Sequence, residues 1–309
     1  MLITPMAQNT ALPVLPIDGR RHIILAVSGG SDSTALLHLA ARQCRALSNP
    51  PELTAVTVDH RLRTGSAAEA RTVAEVCAAL GVRHRTLVWD GPKPASGIQD
   101  AARNARRNLI AAAAGEAGAD VVFTGHTFDD QLETVAMRQK RGSGPGLAGI
   151  APASFVFNDA GAGQPVPFTR PLLGASHQAL RVFLNGLGVE WIDDPSNDNN
   201  AFERVAVRHE LLELREEQRV ALACLQQKAA HERNDASGCI AKVLQDHAFA
   251  VAPGLIRLDN SLAEIAEADA LPALRTVMAF SAGVPFAAAT AHATEALSAW
   301  RLTTAGAWS

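Results

Sequence analysis

Tyrosine is absent from this chain, and cysteine is scarce: Cys44, Cys77, Cys224 and Cys239 are the only four. No two of them form a C-x-x-C pair, and none has the spacing of a zinc site. A structural zinc and a dithiol redox motif are therefore not expected. The cysteines read as reduced and buried, as in a cytosolic protein. The opening stretch, MLITPMAQNTALPVLPIDGRR, lacks a basic start followed by an apolar run, so no signal peptide is read and a cytoplasmic location is expected. No apolar run is long enough to span a bilayer, so no membrane partner is expected. Strong charge of either sign is missing too. The net charge is −3, so a nucleic-acid partner would have to be met by local basic patches. Internal repeats and low-complexity segments are also absent. What remains is ordinary globular composition, 48% hydrophobic and 19% charged, and 309 residues suffice for two domains.

The first half alternates. HIILAVS (22–28), LTAVTVD (53–59), HRTLVW (84–89) and ADVVFTG (119–125) are apolar runs of strand length. Between them lie helical patterns. One is SAAEARTVAEVCAAL, in which Ser66 and Glu69 predict a capping box and Ala70, Val73, Ala74 and Cys77 repeat at helical spacing. Strands without strict alternation, separated by helices, predict a doubly wound parallel α/β sheet covered on both faces. Ligands of such sheets sit at the carboxyl ends of the strands. Residues 155–173 read as irregular chain or a short hairpin, and a helix follows from near Ser176 with Leu180, Phe183, Leu184 and Leu187 on one face. WIDDPSNDNN (191–200) reads as a polar loop. A long charged helix is expected from near Phe202 to about residue 232. The expected division is a catalytic domain over 1–222 and a small, mostly helical domain over 223–309.

SGGSDS (28–33) links the first strand to a helix. Gly29 and Gly30 let the backbone turn and approach a ligand closely. The amides there and the helix N-terminus offer aligned donors to an anion, and Ser28, Ser31 and Ser33 add hydroxyls. These residues, with Asp32, form the expected phosphate-binding set. It is neither a Walker loop nor a G-x-G-x-x-G turn. Asp32 beside an anion cradle makes sense if Mg²⁺ lies between carboxylate and phosphates. On the helix from Phe128, Asp130, Glu133 and Thr134 share one face, with Leu132, Val135 and Ala136 opposite. Two acids aimed into a ligand crevice are costly without a cation. His126 stands at the strand end, placed for proton work. Gln99, Arg103, Arg106 and Arg107 lie on or near one face of the helix over 97–113, a phosphate-gripping arrangement. Arg138, Lys140 and Arg141 flank a glycine-rich loop, and Arg204 and Arg208 open the later charged helix.

SGGSDS resembles the PP-loop of the ATP-pyrophosphatase superfamily. VDHRLRTGSAAEA (58–70), GHTFDDQLETVAMRQKRGSGPGLAGI (125–150) and RPLLGASHQALRVFLNGLGVEWIDDPSNDNNAFERVAVRHELL (170–212) resemble segments of the tRNA(Ile)-lysidine synthetases within it. The resemblance covers roughly residues 20 to 215. It implies an adenine nucleotide alpha-hydrolase-like sheet. It also implies a ligase that uses ATP and Mg²⁺ to adenylylate O2 of the wobble cytidine in a CAU-anticodon tRNA(Ile). The ε-amine of free L-lysine then attacks C2, and AMP leaves. In that reading Asp32, His126, Asp130 and Arg106 are catalytic, with Asp130 or His126 as the base and Asp32 as metal ligand. Asp130, Glu133 and Thr134 hold lysine. Arg103, Arg107, Arg138, Arg141, Arg204 and Arg208 meet tRNA or phosphate. The chain departs from the family pattern at Arg107, where a tyrosine is usual, and at Val205, where an asparagine is usual. The family's proline after the final Leu-Leu is also absent. The closing ALSAWRLTTAGAWS resembles the point where relatives enter a TLGG turn, so the second domain reads as short and tRNA-positioning. Homodimerisation is left open. The rivals are a tRNA thiolase or amide-forming PP-loop ligase, and a non-catalytic tRNA- or nucleotide-binding module. The lack of a cysteine pair weighs against sulfur transfer, and the intact SGGSDS and H-x-x-D-D-Q-x-E-T weigh against loss of catalysis.

Overall fold

The structure is a computed structural model. It describes residues 12–62, 65–91, 93–94, 96–142, 145–156, 165–193, 203–252, 255–282 and 289–306. The chain divides into two compact units, Met1–Gln227 and Lys228–Ser309.

The first unit is built on a six-stranded sheet of β1 (His22–Ala26), β2 (Glu52–Asp59), β3 (Arg83–Val88), β4 (Val121–Thr124), β5 (Ala153–Val156) and β6 (Val166–Thr169). The order is β3-β2-β1-β4-β6-β5, all parallel except β5, which pairs antiparallel with β6. The stretch that read as irregular chain or a hairpin is therefore an antiparallel edge on a parallel sheet. Its helices are α1 (Ser31–Arg45), α2 (Ser66–Leu80), α3 (Ile98–Glu116), α4 (Phe128–Lys140), α5 (His177–Gly186), α6 (Glu203–Glu213) and the start of α7 (Glu216–His247), the rest of which falls in the second unit.

Alternation along β1 divides the core. Ile23 and Leu25 face a cluster with Leu36 and Leu37 of α1, Val73 and Cys77 of α2 and Leu180 and Leu184 of α5. Ile24 faces the other cluster, with Val56, Val122, Ile110, Ala111 and Ala114. Helices α1 and α2 thus cover one face and α3 the other. After β3 the chain crosses back to the far side of β1 and enters β4. That reversal opens a crevice at the carboxyl ends of β1 and β4.

Three expectations are corrected. Gly65, in left-handed conformation, is the N-cap of α2, and there is no side-chain cap; the Ser66 hydroxyl instead hydrogen-bonds Asp59. The single long helix is two, α6 and α7. The second begins where Gln218 Oε1 accepts the Arg215 N–H at 3.0 Å, a backward bond that caps a new start. Phe202 lies outside the described residues, as do positions 194–200 of the polar loop. Leu187, expected on the buried face of α5, lies beyond the helix end and is 48% exposed.

In the second unit, β7 (Ala248–Ala252) and β8 (Leu255–Leu258) form an antiparallel pair, followed by α8 (Glu267–Ser281) and α9 (Thr290–Gly306). Leu262, Ala270, Ala273, Leu274 and Leu297 form its core.

Candidate active site

The crevice is lined first by the β1–α1 loop. Gly29 has φ +91°, and an added Cβ would stand 2.6 Å from Ile192 Cδ1. The Ile192 N–H donates to the Gly29 carbonyl at 2.9 Å, so the 191–193 segment braces the loop from behind. Gly30 caps α1 without a side-chain hydrogen bond, which leaves the first-turn amides of α1 directed into the crevice. The hydroxyls divide in role. Ser33 Oγ donates to the Gly30 carbonyl at 3.0 Å and accepts the Ser28 N–H at 3.1 Å. It is committed inside the loop and shapes the cradle rather than facing a ligand. Ser31 is also buried, with its hydroxyl 3.4 Å from Asp32 Oδ1. Gly125, at the end of β4, passes so close that an added Cβ would lie 3.1 Å from the Ser33 nitrogen. That contact sets β4 and the cradle side by side.

Helix α4 is the hub of the site. Thr127 and Asp130 form a reciprocal capping box, with the Thr127 N–H donating to Asp130 Oδ2 at 2.7 Å. Asp129 Oδ2 accepts the His177 N–H at 2.7 Å and so caps α5. Gln131 holds Ile150 by both ends of its amide. Glu133 is 1% exposed; its Oε1 accepts Arg208 Nε at 2.7 Å and its Oε2 accepts Arg204 Nε at 2.6 Å. Arg204 Nη2 also reaches Asp130 Oδ1 at 2.5 Å. Thr134 Oγ1 donates back to the Asp130 carbonyl.

These contacts revise several expected roles. The cation that satisfies the acid pair on α4 is supplied by the chain itself. Arg204 and Arg208, expected on phosphate, are turned onto Asp130 and Glu133. Glu133, expected in a lysine pocket, has both oxygens engaged. Arg141 pairs with Glu203, and Lys140 with Glu210 at 2.6 Å, which ties α4 to α6. Asp130 is also a poor base. Burial pushes its carboxyl up, but the Arg204 charge and the Thr127 N–H outweigh this and hold it below the usual carboxylate value. Arg138 is exposed on the last turn of α4.

Arg103, Arg106 and Arg107 on α3 and Arg170 after β6 have no ion-pair partner among the described residues. Burial first, and then neighbouring arginines, lower the guanidinium pKa of Arg103, Arg106 and Arg170, the last to about 10. Asp100 and Asp130 offset part of the charge at Arg103, and the remaining excess of cations forms a site for a polyanion. His126 lies among them, with Nδ1 2.9 Å from Thr124 Oγ1. Burial lowers its pKa to about 4, with Asp130 opposing and Arg170, Arg103 and Arg106 adding to the fall. The ring is neutral at physiological pH.

His177 went unnoticed in the sequence. It opens α5, and its Nδ1 lies 2.9 Å from Asp32 Oδ1, while its buried Nε2 has no partner among the described residues. Burial lowers its pKa, but the hydrogen bond and charge of Asp32, with Asp129 and Asp130, leave it raised. Single ligand atoms of Asp32, Asp130 and His177 all lie within 4.8 Å of one another. Two carboxylates and an imidazole at that spacing fit a divalent cation. Only the RPLL segment just before His177 marked its neighbourhood, and that segment carries no sign of the side chain's direction.

Residues 4–215 match the family described as the PP-loop domain. A tRNA(Ile)-lysidine synthase of Mesorhizobium japonicum is 42% identical over 277 residues, 87% of this chain and 60% of that protein. One from Rhizobium meliloti is 50% identical over 203 residues, 61% of this chain and 43% of that protein. The chain thus spans about half the length of the curated relatives it matches. Among solved structures, the U34-tRNA thiolase NcsA from Methanococcus maripaludis with its 4Fe-4S cluster has a TM-score of 0.58, covering 70% of this chain and 73% of that chain at 15% identity. At that identity the likeness is one of fold alone. Among the described residues no helix is long and apolar enough to cross a membrane.

Proposed function

The chain belongs to the PP-loop domain family, and on that premise we propose that it acts as a tRNA(Ile)-lysidine synthase. ATP is cleaved between its α- and β-phosphates, and AMP is transferred to O2 of the wobble cytidine of a CAU-anticodon tRNA(Ile). Pyrophosphate is the leaving group. The ε-amine of free lysine then attacks C2, the C2–O2 bond breaks, and AMP departs. The observation that carries this reading is the meeting of the PP-loop acid Asp32 with Asp130 and His177, beside arginines that have no ion-pair partner among the described residues.

The Ser28–Ser33 loop and the first turn of α1 hold the phosphates. Asp32, with Asp130 and His177 in reach, would hold Mg²⁺, which neutralises charge as pyrophosphate departs. Arg103, Arg106, Arg107 and Arg170 receive the remaining phosphate charge of nucleotide and tRNA. Asp130, Glu133 and Thr134 form the proposed lysine pocket; in the free protein Arg204 and Arg208 occupy the two acids, so lysine would have to share or displace these arginines. His126 is the proton acceptor for the attacking amine. In the free protein it is a weak base chiefly because it is buried, with Arg170, Arg103 and Arg106 adding to the fall. Phosphates that neutralise those arginines remove the smaller, charge-borne part of that fall.

Pyrophosphate and AMP formation, measured with ATP, Mg²⁺ and a CAU-anticodon tRNA(Ile), tests the reading. AMP release is expected to require lysine and to be unsupported by ammonia or sulfide. Turnover with ammonia or sulfide in place of lysine would assign the site to another ligase of the superfamily.

A further inference from the structure

The ends of β2 and β3 carry a group of residues that the proposed reaction leaves unused. His60 follows β2 and Trp89 follows β3, with ring centroids 5.9 Å apart in an edge-to-face arrangement. Lys93 Nζ lies 3.5 Å from the centroid of the Trp89 ring. His60 Nδ1 is buried and has no hydrogen-bond partner among the described residues. Burial, and then the charges of Arg106 and Lys93, lower the His60 pKa, so the ring is neutral and offers one donor and one acceptor.

The backbone here is held under strain. Among the described residues Arg61 is the one non-glycine residue with positive φ, at +51°. Asp59 Oδ1 accepts the Arg61 N–H at 2.8 Å, and Arg61 pairs with Asp90 at 2.5 Å, so the turn is braced from both sides. Strain of this kind persists only where the surroundings over-determine it, and it gathers at ligand sites.

An aromatic ring, a neutral imidazole with an unused edge atom and two cations without an acidic partner among the described residues match the parts of one unstacked nucleotide. Lys93 covers one face of the ring and donates to the Trp89 carbonyl at 2.5 Å, so the base would stack on the opposite face; the imidazole reads a base edge, and Arg106 takes a flanking phosphate. Resting on the tRNA reading above, we propose that Trp89 and His60 form a nucleobase subsite for an unpaired anticodon-loop nucleotide of the RNA substrate. Arg106 joins this subsite to the arginines of α3. The ring itself stands outside the phosphate cradle.

The test uses the full chain and a 17-nucleotide anticodon stem–loop with a CAU loop. Its affinity and that of a non-hydrolysable ATP analogue are measured for wild type, Trp89→Leu, Trp89→Phe and His60→Gln. Stacking on an aromatic side chain predicts that Trp89→Leu weakens the stem–loop about tenfold, with Trp89→Phe restoring most of it and the ATP analogue unaffected. Unchanged stem–loop affinity in folded Trp89→Leu would overturn the subsite while leaving the tRNA reading in place. Equal losses for stem–loop and ATP analogue would also overturn it, since the ring would then serve adenine. A wild-type protein that does not bind the stem–loop would overturn both readings. Should Trp89→Leu fail to fold, His60→Gln decides by the same measurement, with a loss of about threefold expected and no loss contrary to the proposal.

Discussion

Glu133 shows how a single side chain can change meaning between sequence and structure. On a helix wheel it is an acid beside Asp130 awaiting a cationic ligand; in the fold it is enclosed and holds Arg204 and Arg208. Removing one partner of an enclosed ion pair strands the others. Glu133→Ala is therefore expected to lower the unfolding free energy by about 3 kcal/mol in urea titration. A Glu133→Ala/Arg204→Met double variant should recover part of that loss, and simple additivity would count against a coupled cluster. His126 supplies a pH signature. Its imidazole lies near 4 in the folded chain and near 6.5 when unfolded, so the folded state prefers the neutral ring. The stability this contributes is present above about pH 6.5 and is lost as the pH falls toward 4. Between pH 7 and pH 5, His126→Asn is expected to lose roughly 1 to 2 kcal/mol less stability than wild type. Parallel pH profiles for the two proteins would refute the burial of a neutral ring.

The β1–α1 loop and the 191–193 segment behave as one element. Gly29 holds a left-handed conformation against Ile192, so Gly29→Ala meets both backbone strain and a clash. A cost of about 2 kcal/mol or more is expected, with weaker binding of the ATP analogue. Adding Ile192→Ala should relieve the clash but not the strain, restoring part of the stability; complete restoration would show that φ is not the constraint. The elements themselves were readable in the chain. β1, β2 and β4 are apolar runs because both faces of the sheet are covered there, β3 (RHRTLV) is a half-exposed edge, and α4 carries a clear amphipathic period. What escaped the sequence was pairing at long range. Arg204 meets Glu133 across 71 positions and His177 meets Asp32 across 145, and no local pattern announces such contacts. The α2 start was misassigned because Ser66 and Glu69 have capping-box spacing, while Asp59 claims the hydroxyl. Arg141 reads as a tRNA or phosphate contact in the sequence because its partner Glu203 stands on another helix, out of reach of any local pattern.

At the scale of the molecule, the named nucleotide residues lie within Met1–Gln227, while Lys228–Ser309 has its own small core. A chain ending at Gln227 is expected to bind the ATP analogue with near-wild-type affinity and to lose most tRNA affinity, with the remainder falling steeply as salt rises. Failure to bind nucleotide would place the boundary elsewhere, and full tRNA affinity would deny the second unit a positioning role. The central claim is that this site joins free lysine to RNA through an Asp32-dependent, ATP-consuming step. Incorporation of radiolabelled lysine into a CAU-anticodon tRNA(Ile) transcript tests it most directly. Label is expected in the RNA only with ATP and Mg²⁺ present, and it should be lost with Asp32→Ala while the variant keeps its fold. ATP-dependent cleavage without label in the RNA, or undiminished labelling by Asp32→Ala, would contradict it.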